Sequence, residues 1–167
     1  MKKSIIIIGI VIIIISLVVF YNYFYWPIAP RPSLSKLEKE LKENEATLSS
    51  IIEYLNNYEY DRLTIRYRNG EIKVYSTQQQ EGGRGSIGDV TFDNEEILNN
   101  MIHLFEVYKH VKIEKADNYV YFHRWSDQRR GIGLVYTFDG NAPKSGYLNF
   151  TETKKISAEN WYYCIEE

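Results

Sequence analysis

The chain has 167 residues, with 20 Lys and Arg against 22 Asp and Glu and a net charge of −2 at pH 7. No concentrated basic stripe is present, which argues against a nucleic-acid partner, and the one cysteine, Cys164, excludes a disulfide within the chain. An aromatic share of 15%, including 15 tyrosines, fits a packed β-containing domain and not a disordered chain.

Residues 1–26 read as a membrane anchor. Lys2 and Lys3 precede an apolar run over 5–20 broken only by Gly9 and Ser16, and Tyr21, Tyr23, Phe24, Tyr25 and Trp26 follow. About 20 apolar residues span a hydrocarbon core of about 30 Å as a helix. Tyr and Trp favour the interface, so Tyr21, Tyr23, Tyr25 and Trp26 mark the exit from lipid. A cleaved signal peptide competes, but Trp26-Pro27-Ile28-Ala29-Pro30 is a poor cleavage context. The expectation is a single-pass signal anchor in the cell membrane, with lipid as its partner. The two lysines keep the N-terminus cytoplasmic and leave the rest outside.

Pro27, Pro30 and Pro32 make 27–32 a stiff linker. An α+β domain then fills 33–167. Ser35 with Glu38 matches a capping box. Leu34, Leu37, Leu41, Asn44, Leu48, Ile51, Leu55 and Tyr58 fall on one helical stripe. Such a stripe can seam a coiled coil, with Asn44 setting register. A helix packed on its own sheet is preferred, because the seam is short and a domain follows directly. A monomeric outer domain is therefore favoured.

Leu63, Ile65 and Tyr67 alternate with polar residues, turn at Asn69-Gly70, and pair with Ile72 and Val74 in a hairpin. Residues 77–89, rich in Gln and Gly, read as a mobile loop. Asp93 with Glu96 caps a second helix running to about Lys109, whose apolar face carries Ile97, Leu98, Met101, Leu104, Phe105 and Tyr108. Strands are expected at 111–115, 119–125, 132–138, 147–151 and 160–165. Their short connections favour a mainly antiparallel sheet with two helices on one face.

Four residue groups invite a chemical reading. Gly83-Arg84-Gly85-Ser86-Ile87-Gly88 matches G-x-G-x-x-G, but no strand ends directly before it and the next helix has its own cap. His103, Glu106 and His110 share helical spacing, yet they oppose the apolar stripe and read as a solvated face. His123, Ser126 and Asp127 sit at one strand end, where spacing alone supplies neither an oriented base nor an oxyanion site. Cys164 lies in an apolar strand without an evident His partner. No cofactor or metal is expected.

Aromatic residues crowd the later strands. Neighbours such as Tyr162 and Tyr163 point to opposite faces, so Trp125, Tyr147 and Tyr162 are candidates for a binding surface. Gly131-Ile132-Gly133-Leu134-Val135-Tyr136, Gly146-Tyr147-Leu148 and Asn160-Trp161-Tyr162-Tyr163 give the C-terminal third a further character. It resembles the ending of small membrane-anchored bacterial proteins of unassigned function. That resemblance implies a bacterial envelope protein and brings no activity with it.

The expected function is a non-catalytic binding module facing a protein or an envelope polymer. An immunity or inhibitor protein against an envelope-acting toxin is the first alternative. An envelope hydrolase working through His123 and Asp127 is the second. A deep polar pocket at His123 would favour the enzyme, and a flat aromatic patch would favour binding.

Overall fold

The computed structural model describes Ile13, Ile14, Ser16 and residues 31–58, 60, 62–80, 83–116, 118–126, 130–144 and 148–167, with backbone alone at 77–80 and 83–89. The chain divides into two units, Met1–Pro30 and Arg31–Glu167. In the first unit Ile13, Ile14 and Ser16 are helical and exposed.

Among the described residues no helix is long and apolar enough to cross a membrane. The longest helices of the second unit have 12 residues, about 18 Å at 1.5 Å per residue against a hydrocarbon core of about 30 Å. Each also carries charged side chains along one side. No described helix therefore supports the expected single-pass anchor, its cell-membrane location or its cytoplasmic N-terminus, and apart from Ile13, Ile14 and Ser16 residues 1–26 lie outside the described residues. Tyr21, Tyr23, Tyr25 and Trp26 lie outside the described residues.

The second unit has three described helices where two were expected. Helix α1 (Leu34–Glu43) starts at Ser33, whose side chain accepts from the Lys36 amide at 3.3 Å; Ser35 is not the cap. It stops at Asn44, whose backbone leaves the helical region at φ −121° and ψ 17°. The Asn44 side chain donates to the Glu40 carbonyl at 2.8 Å, so the amide closes the break instead of setting a coiled-coil register. Helix α2 (Glu45–Asn56) continues the stripe, and Leu37, Leu41, Leu48, Ile51 and Leu55 are all buried in the domain's own core.

The Asn69-Gly70 turn, with both residues at positive φ, joins β1 (Leu63–Arg68) to β2 (Glu71–Gln80). Ile65 pairs with Val74 and Tyr67 with Ile72, the register that the alternation requires. The expected mobile loop is instead strand: β2 runs on to Gln80 and β3 (Gly83–Val90) returns beside it, with a register shift at Tyr75/Ser76. Low hydrophobicity hid these strands, because an antiparallel edge hairpin can be polar on both faces. The G-x-G-x-x-G segment therefore lies along a strand and cannot open a helix. Helix α3 (Glu95–Glu106) is capped by Asn94, which accepts from the Ile97 amide at 3.1 Å. The chain turns out of this helix through Lys109 at φ +56°.

The remaining strands are β4 (Lys112–Ala116), β5 (Tyr119–Ser126), β6 (Gly131–Thr137), β7 (Phe150–Lys155) and β8 (Trp161–Glu166). All pairings are antiparallel, in the order β3-β2-β1-β4-β5-β6-β8-β7. Alternation sorts the side chains into two faces. On the helix face, Leu63, Ile65, Ile113, Val120, Phe122, Ile132, Leu134, Trp161 and Tyr163 join the helices in the main core. On the second face a smaller cluster forms from Ala116, Tyr119, Tyr121, Val135, Leu148, Phe150, Tyr162 and Cys164. Leu148 comes from the β6–β7 connection, and the Tyr162 hydroxyl donates to the Gly140 carbonyl in that connection at 2.7 Å. The chain thus covers part of its second face with its own loop.

Candidate functional site

The part of the second face that this loop leaves open is polar. The register places one row of side chains across it. Lys73 pairs with Arg66, Arg66 lies one step beyond the last β1–β4 pair and so beside Lys112, and Lys112 pairs with His123. The row continues through Gly133 to Cys164. Behind it, Thr64 pairs with Glu114 and Glu114 with Tyr121. Beyond it, Ser126 pairs with Gly131 and Gly131 with Glu166.

Of these, Arg66, Lys112, His123, Ser126, Gly131 and Glu166 border a groove of about 520 Å³, which Tyr67, Arg68, Val111, Arg130 and Glu167 also line. That volume falls within the range of small-molecule sites. Ser126 also lies on its wall. Lys112 Nζ is 2.9 Å from Glu114 Oε2 and 3.9 Å from Glu166 Oε2. Arg130 pairs with Glu167 at 2.7 Å. Arg66 and Arg68, by contrast, pair with no carboxylate among the described residues. Arg66 stands directly across from Lys73, and like charges placed opposite each other destabilise a sheet.

The floor of the groove is His123, 3% exposed. Its ring stacks on Tyr121 with centroids 5.0 Å apart and planes 19° apart. The two glycines of β6 make this possible. A Cβ at Gly131 would strike the His123 ring and come within 2.9 Å of Glu166 Oε2. A Cβ at Gly133 would strike the Phe122 carbonyl and come within 2.7 Å of Tyr121 Cε2. The G-x-G spacing therefore clears a lane on which both rings lie flat.

Neither ring nitrogen of His123 completes a hydrogen bond among the described residues. The Trp125 backbone and the Glu166 carboxylate, 4.0 Å from Nδ1, face it without closing one. Burial, reinforced by the Lys112 charge, pushes the His123 pKa down to about 3. The ring is neutral across the physiological range. Burial raises the Glu166 carboxyl, against the opposing pull of Lys112.

A separate polar cluster lies on the helix face. Glu40 of α1 reaches His110 Nε2 at 2.8 Å and Arg124 Nε at 3.1 Å, and Arg124 also donates to the Lys109 carbonyl at 3.2 Å. Burial lowers the His110 pKa although Glu40 opposes it. This cluster ties α1 to the segment after α3 and to the register shift in β5. Glu40 and His110 are buried, and Arg124 is partly exposed.

The residues singled out from sequence do not assemble. Trp125 is buried, with Arg31 over its ring at 5.1 Å. Tyr162 is buried in the second-face cluster, and Tyr147 lies outside the described residues, as does Asp127. His103 is exposed, Glu106 accepts from the Tyr67 hydroxyl at 2.7 Å, and His110 is buried against Glu40. The three therefore point apart. Cys164 is buried and its thiol is pushed up to about 12 by burial, which leaves it a poor nucleophile. Only His123 and Ser126 carry over into the groove. Arg66, Lys112 and Glu166 were missed. Their one sequence signal was polar alternation, as in Thr64-x-Arg66-x-Arg68, and that pattern reads first as a solvated strand face.

Comparison with protein-family models, with curated proteins and with solved structures returns no match to this chain.

Proposed function

We propose that the second unit is a non-catalytic binding module whose working surface is the groove bordered by Arg66, Lys112, His123 and Glu166. The observation that carries this reading is the buried His123 imidazole, with neither nitrogen hydrogen-bonded, under a groove lined by four cations. A buried polar group without a partner costs about 1–3 kcal/mol, and a bound ligand offsets that cost. Arg66 opposite Lys73 adds a second local conflict that a ligand would relieve. An aromatic docking patch does not support the reading, because Trp125 and Tyr162 are buried.

A hydrolase is the second reading, favoured by the polar lining and by Ser126 on the groove wall. The basicity of His123 weighs against it. A general base works best with a pKa near the operating pH, and this ring sits near 3.

The two readings separate in one experiment. The full chain, His123→Gln and Ser126→Ala are assayed with chromogenic ester, phosphate and glycoside substrates, and melted against a library of small polar ligands. The binding module gives no turnover and at least one melting-point rise that is lost in Arg66→Glu. Turnover abolished by both His123→Gln and Ser126→Ala would replace it with the hydrolase.

A further inference from the structure

The groove has a charge preference that follows from its register. Arg66, Arg68, Lys112 and Arg130 line it against the carboxylates of Glu166 and Glu167, with Glu114 beside Lys112. Lys112 is offset by Glu114 and Arg130 by Glu167. Four cations against three carboxylates leave a surplus of one positive charge, carried by Arg66 and Arg68, which pair with no carboxylate among the described residues. They lie two residues apart on β1 and so project from the same face. Lys73 on β2 pairs with Glu71 at 2.6 Å and extends the cationic row beyond Arg66. A planar guanidinium matches carboxylate and phosphate oxygens two at a time. His123, neutral and without a hydrogen-bond partner among the described residues, holds both ring nitrogens sealed beneath the groove, where a ligand reaches them after a local side-chain shift.

We propose that this groove binds a small molecule carrying a carboxylate or phosphate group, held by Arg66 and Lys112 with the His123 ring as its hydrogen-bonding floor. The proposal deepens the binding-module reading and rests on it. Arg68 and Arg130 stand at the rim, where they draw an anion in without holding it. Gly131 helps to shape the site, because any side chain there would strike the His123 ring and displace it. Two features favour a small molecule over a protein segment. The groove volume suits one, and the unpaired charge is confined to neighbouring residues.

The test uses the full-length chain labelled with ¹⁵N and titrated at low salt with inorganic phosphate, citrate, trehalose and a hexaglutamate peptide. The expected result is saturable shifts of the His123 ring and of the Arg66 and Lys112 amides with phosphate or citrate. Which of the two binds more tightly assigns the anion. Arg66→Gln should weaken that binding about tenfold or more without lowering the melting temperature, because Arg66 makes no ion pair among the described residues and faces Lys73. If trehalose alone shifts these resonances, equally in wild type and Arg66→Gln, the anion class is overturned and the binding groove stands. If hexaglutamate binds far more tightly than citrate, a protein segment replaces the small molecule. If none of the four moves a groove resonance, or the anions give only linear shifts, both the anion class and the groove reading fall.

Discussion

Acidification offers a direct measure of how deeply the His123 ring is held neutral. An unfolded histidine has a pKa of about 6.5, whereas the folded value is pushed to about 3, first by burial and then by the Lys112 charge. The unfolded chain therefore takes up a proton below pH 6.5 that the native state refuses. Stability from this group is present above pH 6.5 and is lost as pH falls toward 3. Between pH 7 and pH 5 the loss from His123 is about 2 kcal/mol, at about 1.4 kcal/mol per unit of proton linkage. That figure hardly depends on the folded pKa, since any value below about 4 leaves the native ring neutral at pH 5. His110, also lowered by burial, adds a loss of the same sign. Glu166 acts oppositely: its raised carboxyl pKa means stability is gained as pH falls through the folded value. Urea denaturation of wild type and His123→Gln at pH 7, 6 and 5 isolates the His123 share, because the other terms are common to both proteins. The wild type should lose about 2 kcal/mol more than the variant over this range. Parallel curves, or a His123 ring resonance titrating near 6.5, would refute the argument.

Three further perturbations probe the packing. Gly131→Ala should cost about 1–3 kcal/mol, because its new methyl meets the movable ends of His123 and Glu166; Gly133→Ala should cost more, because it meets the Phe122 backbone. Equal melting-temperature losses for the two would show that the backbone yields as easily as the side chains. Trp161→Ala and Tyr162→Ala should each cost about 3–5 kcal/mol by urea denaturation, since both faces of β8 are buried. Tyr162→Phe, which removes only the bond to the Gly140 carbonyl, should cost about 1 kcal/mol. Glu40→Ala removes the carboxylate that joins buried His110 to partly exposed Arg124 and should cost about 1–3 kcal/mol; a loss below about 0.5 kcal/mol would mean that water replaces the carboxylate.

The elements with strong periodicity were legible. The stripe from Leu37 to Leu55, the Asn69-Gly70 hairpin and the later strands follow from spacing alone, with ends displaced by a few residues. The errors have separate causes. The stripe is continuous in sequence, but the Asn44 side chain competes for the Glu40 carbonyl, so one expected helix is two. Residues 77–89 lack apolar alternation, yet β2 was already anchored by β1 and could carry an edge partner. The largest misreading concerned the aromatics. Tyr162 and Tyr163 do point to opposite faces, as alternation demands. Tyr162 was a binding-surface candidate on that ground, but the β6–β7 connection folds back over this part of the second face and buries it.

The same fact explains where the groove lies. A sheet with helices on one face has a second face to manage, and here the chain manages its two halves differently. Over β5, β6 and β8, aromatic side chains and the returning loop make a small second core. Over β1 and β4, the equivalent positions hold the polar side chains of Thr64, Arg66, Lys112 and Glu114, with the buried Glu114 carboxylate paired to Lys112. His123 stands at the boundary, stacked on the last ring of the core and paired in register with the first cation of the open half. It is buried by the aromatic side yet borders the polar one, and among the described residues its ring nitrogens complete no hydrogen bond. No pattern within a single strand marks such a position. It exists only because the strand order sets β4 beside β5, bringing Lys112 across from His123. A test of that origin is Tyr121→Leu, which removes the stacking ring but keeps the apolar cover. The His123 ring should then lose its fixed orientation, read as collapse of its ring-proton shift dispersion toward free-histidine values, with the fold retained. An unchanged His123 ring would show that Gly131 and the neighbouring charges alone hold it.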